Sequence, residues 1–544
     1  MQMQTASNHL LIQTQFGQLR GVTKQDALCW LGIPYAAPPV GALRWHSPQD
    51  PASWEGVRDA DQYGPVSVQL CDGQVIGSED CLYLNVFRPL HEGKNLPVFF
   101  FIHGGNNQTD SGQLMNGPLM AKALDAVVVT INLRLNALGW LNIPAIKTGD
   151  PLEDSGNFGL LDIRKALDWV QHNIAAFGGD AENITVCGYS SGARDLLCML
   201  ISPLFRNCFC RAITFSGGFT VTEPKRGAEI STRALAALVL QDGKAEDEAA
   251  AIAWLNSATD EVRDYLMALP AQRFGNLMSG AAIRMSVFPH LFADGVTIPA
   301  DGFAALARGE VTQVPMLVLS GGGEFTLPAN NDPLFKDADF TDPEVIEEYH
   351  FTTHYGNILF GYVNAEQTAE AFTALPGQPP VYAARCLWGM NPAITGTIGS
   401  LRMGGTHGLD LFIMMGCERE IYAVTEEVFT ERNRPGRDAL ADTYRKALYH
   451  FIRTGNPNGE GVPDWKPWDN AEGGAKILCL DADEEKVKGR MSNFSTKEKL
   501  VFDELAADES ISFDRRDILV RQVLNGRFFS AGLDAFWEAY TANL

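Results

Sequence analysis

The sharpest chemical signal in this 544-residue chain is a short run, Cys187-Gly188-Tyr189-Ser190-Ser191-Gly192. Ile184–Cys187 reads as a strand and Ala193–Ile201 as a helix, so Gly-x-Ser-x-Gly falls on a strand-to-helix corner. Glycines at both ends spare that corner Cβ clashes and leave Ser190 at its tip, with Oγ exposed. The N-terminus of the following helix lies beneath it, and the backbone N–H of Ser191 points where an oxyanion would form. This arrangement suits attack by a serine hydroxyl on a carbonyl. Ser191 is the rival nucleophile, but it lacks flanking glycines in register. A second element, His103-Gly104-Gly105-Asn106, ends an apolar strand. It reads either as a plain glycine turn or as a loop whose backbone N–H groups face a substrate.

A serine at its free pKa is a poor nucleophile. It needs an imidazole to take its proton and a carboxylate to fix that imidazole's tautomer. With 10 His and 66 Asp plus Glu in the chain, composition does not select the partners. His350-Phe-Thr-Thr-His354 is an i, i+4 pair beside Glu347 and Glu348, a spacing that could hold zinc. The glutamate inside such a pair is missing and no third ligand is evident, so a solvated helix face or a pocket lining is the competing reading. No metal is expected.

The elements that must position these residues alternate between strand and helix. Pro97–His103 and Val127–Ile131 are apolar, β-rich runs, and Gly117–Leu124 between them reads as a short helix. Leu160–Phe177 repeats with a 3.6 period, placing Leu161, Ala166, Trp169, Val170, Ile174 and Phe177 near one face, and Gly178-Gly179 stops it. Such alternation predicts a parallel sheet covered on both faces. Glu229–Leu269 is helical and Ala-rich, Val314–Leu319 returns to strand, and 330–400 gives no clear pattern. Without repeats or a linker, residues 1–544 are expected to form a single domain with helical insertions.

Hydrophobic residues make up 46% and charged residues 20%, enough apolar content for a large core. The net charge of -23 disfavours binding to nucleic acid or to anionic membranes, both of which require clustered basic charge. No apolar run reaches membrane-spanning length. Met1–Phe16 has neither a basic nor an apolar leader segment, so a cytoplasmic location is expected.

Taken together, the motifs resemble the type-B carboxylesterase and cholinesterase family of α/β-hydrolases, and bacterial carboxylesterases more than cholinesterases. The resemblance is carried by Leu31-Gly-Ile-Pro-Tyr-Ala-Ala-Pro-Pro-Val-Gly-Ala-Leu-Arg-Trp45, Glu79-Asp-Cys-Leu-Tyr-Leu-Asn-Val86 and Asn157-Phe-Gly-Leu-Leu-Asp162. Phe177-Gly-Gly-Asp180, the serine corner, Phe451-Ile-Arg-Thr-Gly-Asn-Pro-Asn458, Trp465 and Trp468 complete it. In the family's order they cover roughly residues 15–470. The resemblance implies an α/β-hydrolase fold, with a large mostly parallel central sheet, helices on both faces and helical insertions around an active-site gorge. It also implies a serine carboxylesterase that hydrolyses small-molecule esters through an acyl-enzyme. The acid is then Glu324 in Leu319-Ser-Gly-Gly-Gly-Glu-Phe325, and the base is His407 in Gly405-Thr-His-Gly-Leu-Asp410. Ser190 is the nucleophile, and the N–H groups of Gly105, Asn106 and Ser191 are the oxyanion donors. No cofactor is expected, and the protein is expected to be a monomer or a small homo-oligomer. Because the imidazole must be neutral to accept a proton, activity should fall below about pH 6–7.

The chain departs from the family's pattern at several places. Tyr189 stands where the family commonly has Glu, and could line the substrate pocket or pack beneath the corner. Asn106 replaces a third glycine. Ser67 lies near the place of an expected cysteine, so only a small Cys71–Cys81 loop could form, and free thiols are expected. Cys71–Ser78 lacks the Trp that holds quaternary ammonium groups, so choline esters are not expected substrates. Ser216 matches a buried family serine with a supporting role, and Arg194 and Asp195 read as a structural ion pair. The alternative functions are a catalytically inactive, cholinesterase-like adhesion protein and, further off, a metal-dependent hydrolase.

Overall fold

A computed structural model describes residues 10–91, 93–277, 288–417, 428–524 and 531–544. The chain divides into two compact units, one formed by Met1–Ala212 with Thr220–Gln313 and the other by Ile213–Phe219 with Val314–Leu544. Among the described residues, no helix is long and apolar enough to cross a membrane.

The first unit is built on β1 (Val22–Lys24), β2 (Ala27–Pro34), β3 (Tyr83–Pro89), β4 (Leu96–Ile102), β5 (Val127–Ile131) and β6 (Gly179–Tyr189), hydrogen-bonded in the order β1-β2-β3-β5-β4-β6. β5 and β6 both run parallel to β4, while β1, β2 and β3 pair antiparallel at the edge. β4 and β5 are buried along their whole length, as continuous apolar runs in a two-face-covered sheet must be. A register shift between Gly179 and Ile184 bends β6, so the strand is longer than its Ile184–Cys187 core suggests.

Helix α1 (Gly117–Leu124) has the predicted bounds, with Asn116 capping its N-terminus and Asp125 in the left-handed conformation at its end. Helix α2 (Phe158–Asn173) tightens into a 3-10 turn, Ile174–Phe177, and stops at Gly178, whose φ of 83° favours glycine. Helix α3 (Ser191–Ile201) leaves the serine corner. The predicted helical stretch from Glu229 resolves into three helices, Pro224–Gln241, Glu248–Asn256 and Asp260–Ala268.

Several family motifs in this unit are hydrogen-bonding devices. Arg44 grips Glu79 bidentately at 2.6 and 2.7 Å and also donates to the carbonyls of Leu266, Met267 and Leu269. Asp162 accepts from the guanidinium and backbone N–H of Arg134 in a pair almost without solvent access. Asn157 both donates to the carbonyl of Phe292 and accepts from its N–H. Cys81 Sγ donates to Ser67 Oγ at 3.5 Å, so Ser67 does occupy the place opposite this thiol, and all ten cysteines are free.

The second unit carries the end of β7 (Arg211–Phe215), then β8 (Met316–Gly321), β9 (Val381–Cys386), β10 (Ile477–Ala482) and β11 (Val487–Ser492), adjacent in that order. β8, β9 and β10 are parallel, and β11 closes the edge antiparallel. The 330–400 stretch folds as a helix, Pro343–Gly361, one π-helical turn, Tyr362–Glu366, a short helix, Gln367–Thr373, and then β9. Trp465 fixes β9 from outside by donating Nε1–H to the carbonyl of Ala383.

Candidate active site

In the first unit, β6 ends at Tyr189 and α3 begins at Ser191, leaving Ser190 between them with φ 53° and ψ −115°. A non-glycine residue in that region is strained by about 1–3 kcal/mol and needs surroundings that over-determine it. The flanking glycines supply them by closeness, since neither Gly188 nor Gly192 has a positive φ. A Cβ on Gly188 would fall on the carbonyl of Gly192, and one on Gly192 would lie 2.5 Å from the carbonyl oxygen of His103. Ser190 is half-buried and does not cap its helix with its side chain, whereas Ser191 is fully buried. Ser191 Oγ accepts the backbone N–H of Asn107 at 3.0 Å, which engages the rival hydroxyl in structure.

The loop after β4 holds Gly105, Asn106 and Asn107 in succession in the left-handed region, at φ 84°, 54° and 56°. A Cβ on Gly105 would meet the carbonyl of Thr109, so this position has room only for glycine. Asn107 is fixed from three directions. Its N–H goes to Ser191, its carbonyl accepts from Asn136 at 2.7 Å, and its Nδ2 donates to Asp195 at 2.9 Å. Arg194 Nη1 donates to Asn106 Oδ1 at 3.0 Å. Arg194 and Asp195 therefore each reach a different asparagine of this loop. Burial pushes the Asp195 carboxyl up to about 7, against the pull of Asn107 and of the Arg194 charge. Tyr189 is buried with its ring against Gly104.

In the second unit, Glu324 follows β8 and is fully buried. Its Oε2 lies 2.5 Å from His407 Nδ1 and 3.1 Å from Asn364 Nδ2, and its Oε1 accepts from Ser216 Oγ and from the N–H of Gly321, both at 2.5 Å. Burial alone would raise this carboxyl, but the facing His407 and the hydrogen bonds from His407, Ser216 and Gly321 hold it below the ordinary carboxylate value. The glycine run before it exists for contact, since Cβ atoms on Gly321 and Gly323 would collide with the carbonyls of Gly405 and Gly404. Gly323 N–H donates to the Gly405 carbonyl at 2.9 Å, and Thr326 Oγ1 donates to Thr406 Oγ1 at 2.8 Å, so the Glu324 loop and the His407 loop are tied together. Phe360 stacks on the His407 ring at 5.7 Å and 11°. Asp410 is buried, and burial together with the nearby Glu324 charge pushes it up to about 7.

The residues thus form two groups, Ser190, Ser191, Gly105 and Asn106 in one unit and Glu324 with His407 in the other. Sequence reasoning did not find Asn364, which comes from the π-helical turn in the stretch without a readable pattern. It also did not find Asp410 as a titrating neighbour, though that residue stands three positions after His407. His350 and His354 do stack on one helix at 6.2 Å, but Glu348 is bound bidentately by Arg515. Among the described residues no three His, Cys, Asp or Glu side chains converge as a metal site.

The family model described as "Carboxylesterase family" matches residues 8–375. The chain belongs to the carboxylesterase family. This carboxylesterase is similar to the para-nitrobenzyl esterase of Bacillus subtilis (strain 168), with 34% identity over 512 residues, covering 87% of this chain and 95% of the relative. It is 28% identical over 546 residues to liver carboxylesterase 1 of Oryctolagus cuniculus, covering 90% and 92% of the two chains. Among solved structures, a PNB esterase superposes with a TM-score of 0.68 at 27% identity, over 91% of this chain and 100% of the other. A carboxylesterase of Geobacillus stearothermophilus gives a TM-score of 0.70 at 28% identity, over 89% and 98%. The fold is that of the α/β-hydrolases, as the sequence predicts, and the activity is that of a serine carboxylesterase acting on carboxylic esters.

Proposed function

We propose that this carboxylesterase works through a Ser190–His407–Glu324 triad, and that its two units act as one catalytic domain. Ser190 Oγ attacks the ester carbonyl while its proton passes to His407 Nε2. The tetrahedral oxyanion is held by the backbone N–H groups of Gly105, Asn106 and Ser191. The imidazolium then protonates the departing alcohol, and the same imidazole activates the water that releases the acid. The observation that carries this reading is the bond from His407 Nδ1 to the buried, ionised Glu324, because it leaves the lone pair of the neutral imidazole on Nε2. The strained Ser190 backbone on the Gly-x-Ser-x-Gly corner supports the nucleophile. Tyr189 then serves as a wall behind Gly104. A cytoplasmic location and a monomeric or small homo-oligomeric state complete the proposal, with no cofactor in the cycle.

The test is covalent. An organophosphonate should label one serine, mapped by mass spectrometry to Ser190, and Ser190→Ala should abolish both labelling and p-nitrophenyl ester turnover. Wild-type turnover in that variant, or labelling elsewhere, overturns the triad.

A further inference from the structure

Asn106 poses a question about orientation. A glycine would suit its φ of 54°, yet the chain places there an amide whose Oδ1 receives Arg194 Nη1 at 3.0 Å. A guanidinium has donors and no acceptor, so Oδ1 must be the end that faces it and Nδ2 must be the end that faces away. Arg194 is itself buried, on the helix that starts at the serine corner. Nδ2 is buried too, and has no hydrogen-bond partner among the described residues. A buried amide donor left unpaired costs about 1–3 kcal/mol. Native structures rarely leave such a group unpaired, and each one calls for an explanation.

Further contacts hold the backbone that flanks the amide. Asn107, next along the loop, is pinned by Ser191, Asn136 and Asp195, and the Gly105 carbonyl accepts from the N–H groups of Gln108 and Thr109 at 2.9 and 3.0 Å. The backbone on both sides of Asn106 is therefore fixed, and Arg194 sets the remaining freedom, the side-chain torsion.

We propose that Arg194 is a positioning residue that turns Asn106 so that Nδ2–H donates to the substrate's carbonyl oxygen as it becomes an oxyanion. Asn106 then supplies a side-chain donor beside its own backbone N–H. This inference rests on the oxyanion role given to Asn106 under the proposed function. In other members of the pattern a glycine at this place offers the backbone donor only, so the departure at Asn106 and the arginine four residues after the nucleophile form one device.

The test is a double-mutant cycle on Asn106→Gly and Arg194→Met, read as kcat and KM per titrated active site and as inhibition by a trifluoromethyl ketone, whose adduct carries the oxyanion. Asn106→Gly should lower kcat about 10-fold with KM within about 3-fold, and weaken the ketone by the same factor. Arg194→Met should do the same in the native background, and change kcat less than about 2-fold once residue 106 is glycine. Arg194→Lys, which keeps a donor cation, should recover part of the loss. Asn106→Asp keeps the grip on Arg194 but presents an acceptor, and should weaken the ketone about 100-fold. If Arg194→Met does not fold, the Lys and Asp variants decide by themselves. Unchanged kcat and ketone affinity in Asn106→Gly, or an Arg194→Met loss that persists in the glycine background, overturns the inference. Retained turnover in Ser190→Ala would instead overturn the mechanism beneath it.

Discussion

Removing the Ser216 hydroxyl should unbalance Glu324 by an amount that the geometry sets. The carboxylate sits in a dry site with four donors, His407 Nδ1, Ser216 Oγ, Gly321 N–H and Asn364 Nδ2. A hydrogen bond to a charged group contributes about 1.5–3 kcal/mol, and a loss of about 2 kcal/mol corresponds to roughly 1.5 pKa units. Glu324 starts below its ordinary value of 4.5, so Ser216→Ala should move its carboxyl upward while leaving it ionised at pH 8. Turnover at pH 8 should then fall less than about 10-fold. Stability should respond differently with pH. A carboxyl whose folded pKa is depressed stabilises the fold above its unfolded value and loses that contribution as pH falls through the folded pKa. The variant should therefore lose its full ~2 kcal/mol at pH 8 and progressively less as pH falls through its raised folded pKa. For 544 residues, with about 2.1 cal/mol/K of unfolding entropy each, that is a Tm drop of about 2 °C at pH 8. Scanning calorimetry from pH 8 downward, beside kcat/KM profiles, measures both effects. A Tm loss that does not shrink as pH falls, or none at pH 8, would refute the carboxylate argument.

Other perturbations have equally definite outcomes. Gly192→Ala would drive a methyl into the carbonyls of Ile102 and His103, neither of which can retreat, so it should abolish activity or soluble folded protein; circular dichroism with an active-site titration checks this. Asp195 and Asp410, both raised to about 7, stabilise the fold fully below the unfolded value near 4 and lose that contribution as pH rises through about 7. Each should remove on the order of 4 kcal/mol across that window, so Asp410→Asn should flatten the decline in Tm between pH 4 and 8, and an unchanged slope would reject its protonation. Arg44→Met leaves the half-buried Glu79 carboxylate without its bidentate partner and should destabilise by about 2–3 kcal/mol, seen as a Tm loss larger than that of the double variant Arg44→Met/Glu79→Gln.

Legibility in the sequence follows the range over which each signal acts. Strands β4 and β5 are read directly, because a strand buried on both faces must be apolar throughout. Helix α2 is read because its 3.6 period and its glycine stop are both local. The corner at Ser190 is legible for the same reason, although its glycines turn out to be demanded by the closeness of other backbone and not by their own φ. The stretch 330–400 is illegible because its helix Pro343–Gly361 is buried on more than one side and its π-helical turn has no periodicity to reveal it. Asn364 therefore has no local signal. Only the fold brings it within 3.1 Å of a carboxylate 40 residues away. Glu324 and His407 could be selected only through resemblance, since nothing near either one distinguishes it among the acids and histidines of the chain.

The same contrast explains why the departures from the family's pattern carry information. The candidate site is tightly packed in both units: Gly105, Gly188 and Gly192 in one, and Gly321 and Gly323 in the other, each face another backbone too closely for a side chain. In such surroundings a glycine replaced by asparagine is tolerated only where the fold can hold the added amide. Position 106 meets that condition through Arg194, a buried guanidinium at the start of α3 that donates to the amide oxygen. The amide by itself is unfavourable for its unpaired donor, and a buried arginine needs an acceptor for its charge. Paired, Arg194 satisfies Oδ1, and Nδ2 of the amide is held as a donor with no partner among the described residues. A chain that can keep this donor gains from it only when an oxygen acquires negative charge beside it, and ester hydrolysis generates such an oxygen in each half of the cycle.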